Sequence, residues 1–207
     1  ANLGDLIIGV SAGATVNLTA DQADGRRING EGNVEVTGLE ATLDADLSAI
    51  STNETITASF EDPGANRVFT GQLGQATVLL EAGTLSLTSQ ADVGNASFQI
   101  NTGAWLRGTA DQLDGVSVLG TGSVEVSELT STADLSGMAS GLTVNAGVID
   151  SMDLRGNPNL GTVDLYGGNS TIDLTLSAAQ ADDVSIMNFG GVVITDLAAT
   201  PDASFTG

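Results

Sequence analysis

Whatever chemistry this chain performs must be done with oxygen ligands and a few rings. Its 207 residues contain no histidine and no cysteine, and all five basic residues are arginine, against 26 Asp and Glu. The common neutral-pH general base is therefore missing, as are nucleophiles that a His or Lys partner activates, and hydrolytic triads are excluded. A carboxylate pair acting on a glycosidic bond is the one catalytic arrangement still open. With 3% aromatic residues, including one Trp and one Tyr, the chain has little ring surface for gripping a sugar in such a site. It is expected not to be an enzyme.

Two constellations stand out. The phrase Asp-x-x-Asp-Gly occurs at Asp21, Asp24 and Gly25 and again at Asp111, Asp114 and Gly115. Carboxylates close together in a glycine-ended turn ligate hard cations through oxygen, so Asp21, Asp24, Asp111 and Asp114 are the candidate metal ligands, with calcium the ion. A plainer role fits the same residues: Asp in a first helical turn complements the helix dipole, and Asp-Gly is ordinary turn chemistry. A third related phrase has Ala179, Asp182 and Asp183 at these places, which argues against a shared site. The G-G-x-G-x-D-x-U-x nonapeptide of calcium-binding β-rolls is absent. The second constellation is Trp105 beside Arg107, a candidate ligand contact in which a ring and a cation stack together or on a glycan; the alternative is that Trp105 closes a gap in the core.

Charge narrows the partners. A net charge of −21 repels phosphate backbones and anionic lipid heads, so neither nucleic acid nor membrane insertion is expected, while divalent cations are attracted. No stretch reaches the roughly 18 apolar residues of a membrane span, and the apolar run near the first residues has no basic segment before it. The chain is taken as a mature secreted protein or a piece of a larger one, placed outside the cell or on its surface. Lacking cysteine, it must rely on ladder hydrogen bonds and stacking.

The elements follow from composition and repeats. Hydrophobic residues make up 41% of the chain and 27 residues are glycine, with abundant Thr, Ser, Val, Asn and Asp, which favours short strands and tight turns around a Val, Ile, Leu and Ala core. The 24 residues from Thr19 match those from Thr109 at 13 positions without a gap, an offset of 90, and a third copy from Leu176 matches the one from Leu18 at 10 of 22 positions, a further 68 on. A weaker echo begins at Leu87. Four and three coils of about 22 residues account for both offsets, which points to a solenoid and not to beads of equal domains. Within the copies, Val34-Glu35-Val36 and Val124-Glu125-Val126 alternate as strands with one buried face. The triplets around Asp153, Asp164 and Asp173 recur every 9 to 11 residues, half a coil each. A short helical turn is expected after Thr19, recurring near Asp111 and Ala179.

The phrases TADQADG…GNVEVTGL and AAQADD…GGVVITDL resemble repeats of very large bacterial surface proteins, adhesins and S-layer-like proteins among them. The stretch Ile149 to Leu174 looks like the degenerate leucine-rich half-repeats of some of those proteins. The resemblance implies a cell-surface location. The expectation is one all-β domain over residues 1–207, a parallel β-solenoid (β-helix) of roughly nine coils with related repeats beginning near 18, 108 and 176. Its expected role is a structural or adhesive module of the bacterial exterior, a filament, sheath, S-layer subunit or adhesin stalk, partnered by its own copies or other surface proteins. A glycan- or ice-binding module, and a phage-fibre or virion-surface protein, are the alternatives; threonines falling out of step with the coil argue against ice.

Overall fold

A computed structural model describes residues 6–52, 56–61, 66–161, 163–199 and 202. The chain winds as a parallel β-solenoid of about nine turns. Four sheets run along it. Sheet 1 holds Ile8–Val10, Ile28–Gly30 and Ile50–Thr52. Sheet 2 holds Thr15–Thr19, Asn33–Thr37, Ile56–Phe60, Thr77–Leu80, Ser97–Ile100 and Val118–Gly120. Sheet 3 holds Asn66–Phe69, Thr84–Leu87, Trp105–Thr109, Ser123–Ser127, Thr143–Val148, Asp164–Gly167 and Ile186–Met187. Sheet 4 holds Met152–Asp153, Asp173–Ser177 and Gly191–Thr195.

Period-2 patterning decides which side chains face in. Val34 and Val36 are buried and Glu35 is exposed; Val124 and Val126 repeat this in the next copy. The triplet strands behave alike: Leu154, Val163, Leu165, Ile172 and Leu174 are all buried, and Met152 pairs with Leu174 one coil later. One column of inward residues runs Leu18, Val36, Val78, Phe98 and Val118 through sheet 2, with Val36 and Val78 bridged in register by the strand Ile56–Phe60. Phe60, Phe69 and Phe98 are the largest fully buried side chains, so phenylalanine joins the expected aliphatic core.

An acidic corner keeps the coils in step. Asp46 pairs with Gln72 and Gln72 with Asp92 as isolated parallel bridges. The Asp46 amide donates to Asp24 Oδ1 at 2.8 Å, the Asp134 amide to Asp114 Oδ1 at 2.7 Å, and Asn159 Nδ2 to Asp134 Oδ2 at 3.2 Å. Within a coil the corner closes on itself, since the Ser48 and Gly94 amides donate to Asp46 Oδ1 and Asp92 Oδ1, each at 2.9 Å. Hydrogen bonds from the Ser136 side chain, then its amide, hold the Asp134 carboxyl below its usual range. From Asp24 to Asn159 the corner recurs after 22, 26, 20, 22, 20 and 25 residues, so the 22-residue period is an average. The echo at Leu87 leads into this same corner at Asp92.

The long coils have a cause. Between Asp46 and Gln72 the chain lays down three strands, in sheets 1, 2 and 3. Between Asp134 and Asn159 it bridges Val118 of sheet 2 through Met138, then adds strands to sheets 3 and 4. Sheet 1 ends in the first of these coils, and sheet 2 ends in the second. The copy containing Thr19 thus occupies sheets 1 and 2, that containing Thr109 sheets 2 and 3, and that containing Ser177 sheets 3 and 4.

The three expected helical turns are present: α1 (Ala20–Ala23), α2 (Ala110–Leu113) and α3 (Ala178–Ala181). Each begins with a capping box, in which Thr19, Thr109 or Ser177 accepts from the amide of Gln22, Gln112 or Gln180 and the glutamine side chain accepts from the cap amide. Among the described residues the glutamine does more in the later copies. Gln112 Nε2 donates to the Thr88 and Ala91 carbonyls, and Gln180 Nε2 to those of Leu154 and Asn157, tying each turn to the coil before it. Asn157 is buried and donates to the Ala133 carbonyl, whereas Asn169 is exposed and accepts from the Thr171 amide; the two sit at different turns and do not stack.

Candidate functional site

The four candidate metal ligands fall into two pairs four coils apart. Asp21 and Asp111 are exposed in the first turns of α1 and α2, where they face the positive end of a short run of peptide dipoles. Asp24 and Asp114 end those turns, and each uses Oδ1 to accept the corner amide of the following coil. The residues therefore serve as the turn and dipole partners that their spacing also suggested. Among the described residues no group of three or more acidic, His or Cys side chains is placed to hold a metal ion.

Trp105 and Arg107 lie on the outer surface of sheet 3. Their strand alternates, with Leu106 and Gly108 inward, so both side chains point away from the core, and Trp105 is half-buried. Arg107 Cζ stands 5.8 Å from the centroid of the Trp105 ring, within cation–π range. One strand further on, Glu125 is the in-register partner of Arg107 and its Oε2 is 2.8 Å from Arg107 Nε. Both side chains keep contact with solvent, at 46% and 33% exposure, so the pair positions groups more than it stabilises the fold.

The constellation extends to Tyr166, two strands past Glu125. Tyr166 pairs with Gly147 and faces outward with it. Gly147 is buried although it faces out, because the tyrosine lies over it: a Cβ placed on Gly147 would fall 2.9 Å from the Tyr166 hydroxyl oxygen and 3.0 Å from Cζ. Burial, then the Glu125 carboxylate, pushes the Tyr166 hydroxyl above its usual range, with Arg107 opposing. Trp105, Arg107, Glu125 and Tyr166 thus form one connected outer patch. The chain's single Trp and single Tyr are both in it, while Phe60, Phe69 and Phe98 are inside.

Sequence reading located Trp105 and Arg107 but not Glu125, Gly147 or Tyr166. Glu125 was legible as the residue in the alternating strand that follows Arg107 by 18, a coil step found for the same strand in each copy. Tyr166 lies across two unequal coils, and no period connects it to Trp105. No family model, no curated protein and no solved structure matches the chain.

Proposed function

We propose that this chain is a non-catalytic structural or adhesive module of the bacterial cell exterior: a stiff segment of a filament, sheath, surface layer or adhesin stalk that associates by stacking its coils end to end. The reading is carried by the strand Gly191–Thr195. Val192 in that strand is 42% exposed, while its counterparts Val34 and Val124 in the other copies are 0% exposed. The strand pairs on one side only, with Asp173–Ser177, among the described residues. On the other side of the stack, Ile8–Val10 pairs only with Ile28–Gly30 among the described residues, next to exposed Leu6 and Ile7. Every ladder among the described residues is parallel, so a second copy set head to tail continues the same hydrogen-bond polarity, and such a heterologous contact propagates into filaments.

The surface suits an exterior setting. An envelope of hydroxyls, amides and carboxylates with a net charge of −21 keeps a crowded protein soluble and turns away nucleic acid and anionic lipid. Among the described residues no helix is long and apolar enough to cross a membrane. Negative-stain microscopy of the concentrated protein tests the reading. Filaments of uniform width, lost in a Val192→Glu variant that melts like the parent, are expected; dispersed single particles at every concentration overturn it.

A further inference from the structure

We infer that the outer patch of sheet 3 formed by Trp105, Arg107, Glu125 and Tyr166 is a binding site for a neutral oligosaccharide lying diagonally across the strands. The inference does not rest on end-to-end assembly, because this patch is on the flank of the coil stack and uses none of the residues at its ends.

Segregation of the aromatics is the first support. Rings with a polar tip are outside and the described phenylalanines of the central coils are inside, so Trp105 and Tyr166 are not filling the core. A Trp or Tyr at a wet surface offers a rigid apolar face with a polar edge, which is what the C–H face and hydroxyl rim of a sugar ring require. The second support is the floor beneath Tyr166. The strand Thr143–Val148 has glycine at the one outward position where a side chain would collide with the ring, so Tyr166 rests against the sheet. Third, the space between the rings is bridged by a donor and an acceptor already held in place by each other, Arg107 and Glu125, which can bond sugar hydroxyls without being ordered first.

Length and charge narrow the ligand. Trp105 and Tyr166 are three strands apart, roughly 14 Å at about 4.8 Å per strand, and offset by four residues along the strands, about 13 Å more in that direction, so a chain of sugars spans both and a single ring does not. Arg107 is balanced by Glu125 and the protein carries −21, so an anionic polysaccharide meets net repulsion and a neutral one does not. The ladder register carries Trp105 to Thr143 while Tyr166 pairs with Gly147, four residues further along the strand, so the ligand's direction is a diagonal across sheet 3.

The intact protein, applied to a printed array of neutral and acidic oligosaccharides, supplies the test, with the hits titrated by isothermal calorimetry, a readout that does not depend on the single tryptophan. Saturable binding to one or more neutral oligosaccharides of three or more sugars is expected, weakened at least 10-fold in Trp105→Ala. Gly147→Ala is the second variant: its methyl group displaces only the far end of Tyr166, so the melting curve should hold while affinity falls several-fold. Binding to no neutral oligosaccharide, to acidic ones alone, or with equal strength after Trp105→Ala overturns the assignment, as does self-association of the protein through this face that the two variants abolish.

Discussion

Gly108, Leu113 and their counterparts show how single residues are matched inside the coil. In the first copy the strand position is Leu18 and the helical turn has Ala23; in the third these are Leu176 and Ala181; in the second the bulk is exchanged, Gly108 against Leu113. All of the helical residues are buried, and a Cβ on Gly108 would sit 3.2 Å from Leu113 Cγ and 3.3 Å from Leu87 Cδ1. The turn leucine fills the space that the strand leucine occupies elsewhere. Leu113→Ala should therefore cost about 3 kcal/mol in denaturant unfolding, through a cavity, and Gly108→Leu about 2 kcal/mol, through overpacking. The double variant recreates the pairing of the other copies and should return to within about 1 kcal/mol of the parent, a large coupling between the two sites. This exchange was legible in the aligned copies, but its meaning needed the contact between strand and turn. Residue chemistry also sets one acid response. Hydrogen bonds from Arg155, side chain first, bring the Asp153 carboxyl from 3.8 down to about 2. A depressed carboxyl pKa favours the folded state above the unfolded value, and that contribution disappears as pH falls from about 4 through about 2. An NMR titration should find the Asp153 midpoint near 2 in the parent and higher in Arg155→Ala, where only the bond from the residue 155 amide remains.

At the scale of elements, the capped turns are the joints between successive coils. Gln112 completes the box at Thr109 and reaches back to the carbonyls of Thr88 and Ala91, so one side chain closes a turn and fastens it to the preceding coil. Loss of the return bond of the box, from the Thr109 amide to Gln112 Oε1, costs about 1 kcal/mol and loss of the carbonyl contacts about 1 kcal/mol more. Gln112→Ala should thus lower stability by about 2 kcal/mol and speed exchange of the Thr109 amide, whereas Gln22→Ala, with no such reach among the described residues, should lose only the return bond from the Thr19 amide. The turns themselves were visible in the sequence, because Thr followed by Ala-Asp-Gln-Ala is both a cap and a helix former. The stepping of the copies from sheets 1 and 2 to sheets 3 and 4 was not. A strand with one buried face has the same alternation on whichever side of the coil it lies, and the extra strand in the coils after Asp46 and Asp134 leaves only a few added residues as its trace.

For the whole molecule, stability and shape come from the same contacts, since each coil covers the apolar face of the one before it. Coil period, parallel winding and acidic envelope were all readable from repeats and composition; of the outer patch Trp105 and Arg107 were readable too, but Tyr166 was not, because coils of unequal length bring it there. In the proposed stacking a further coil would cover the exposed Val192, and the net charge of −21 would oppose it until salt screens it. Mass by light scattering across a concentration series, in low and in moderate salt and with and without millimolar calcium, tests this most directly. Mass that rises with concentration, rises further with monovalent salt, and does so without calcium is the predicted result. A constant monomer mass under all of these conditions contradicts end-to-end stacking.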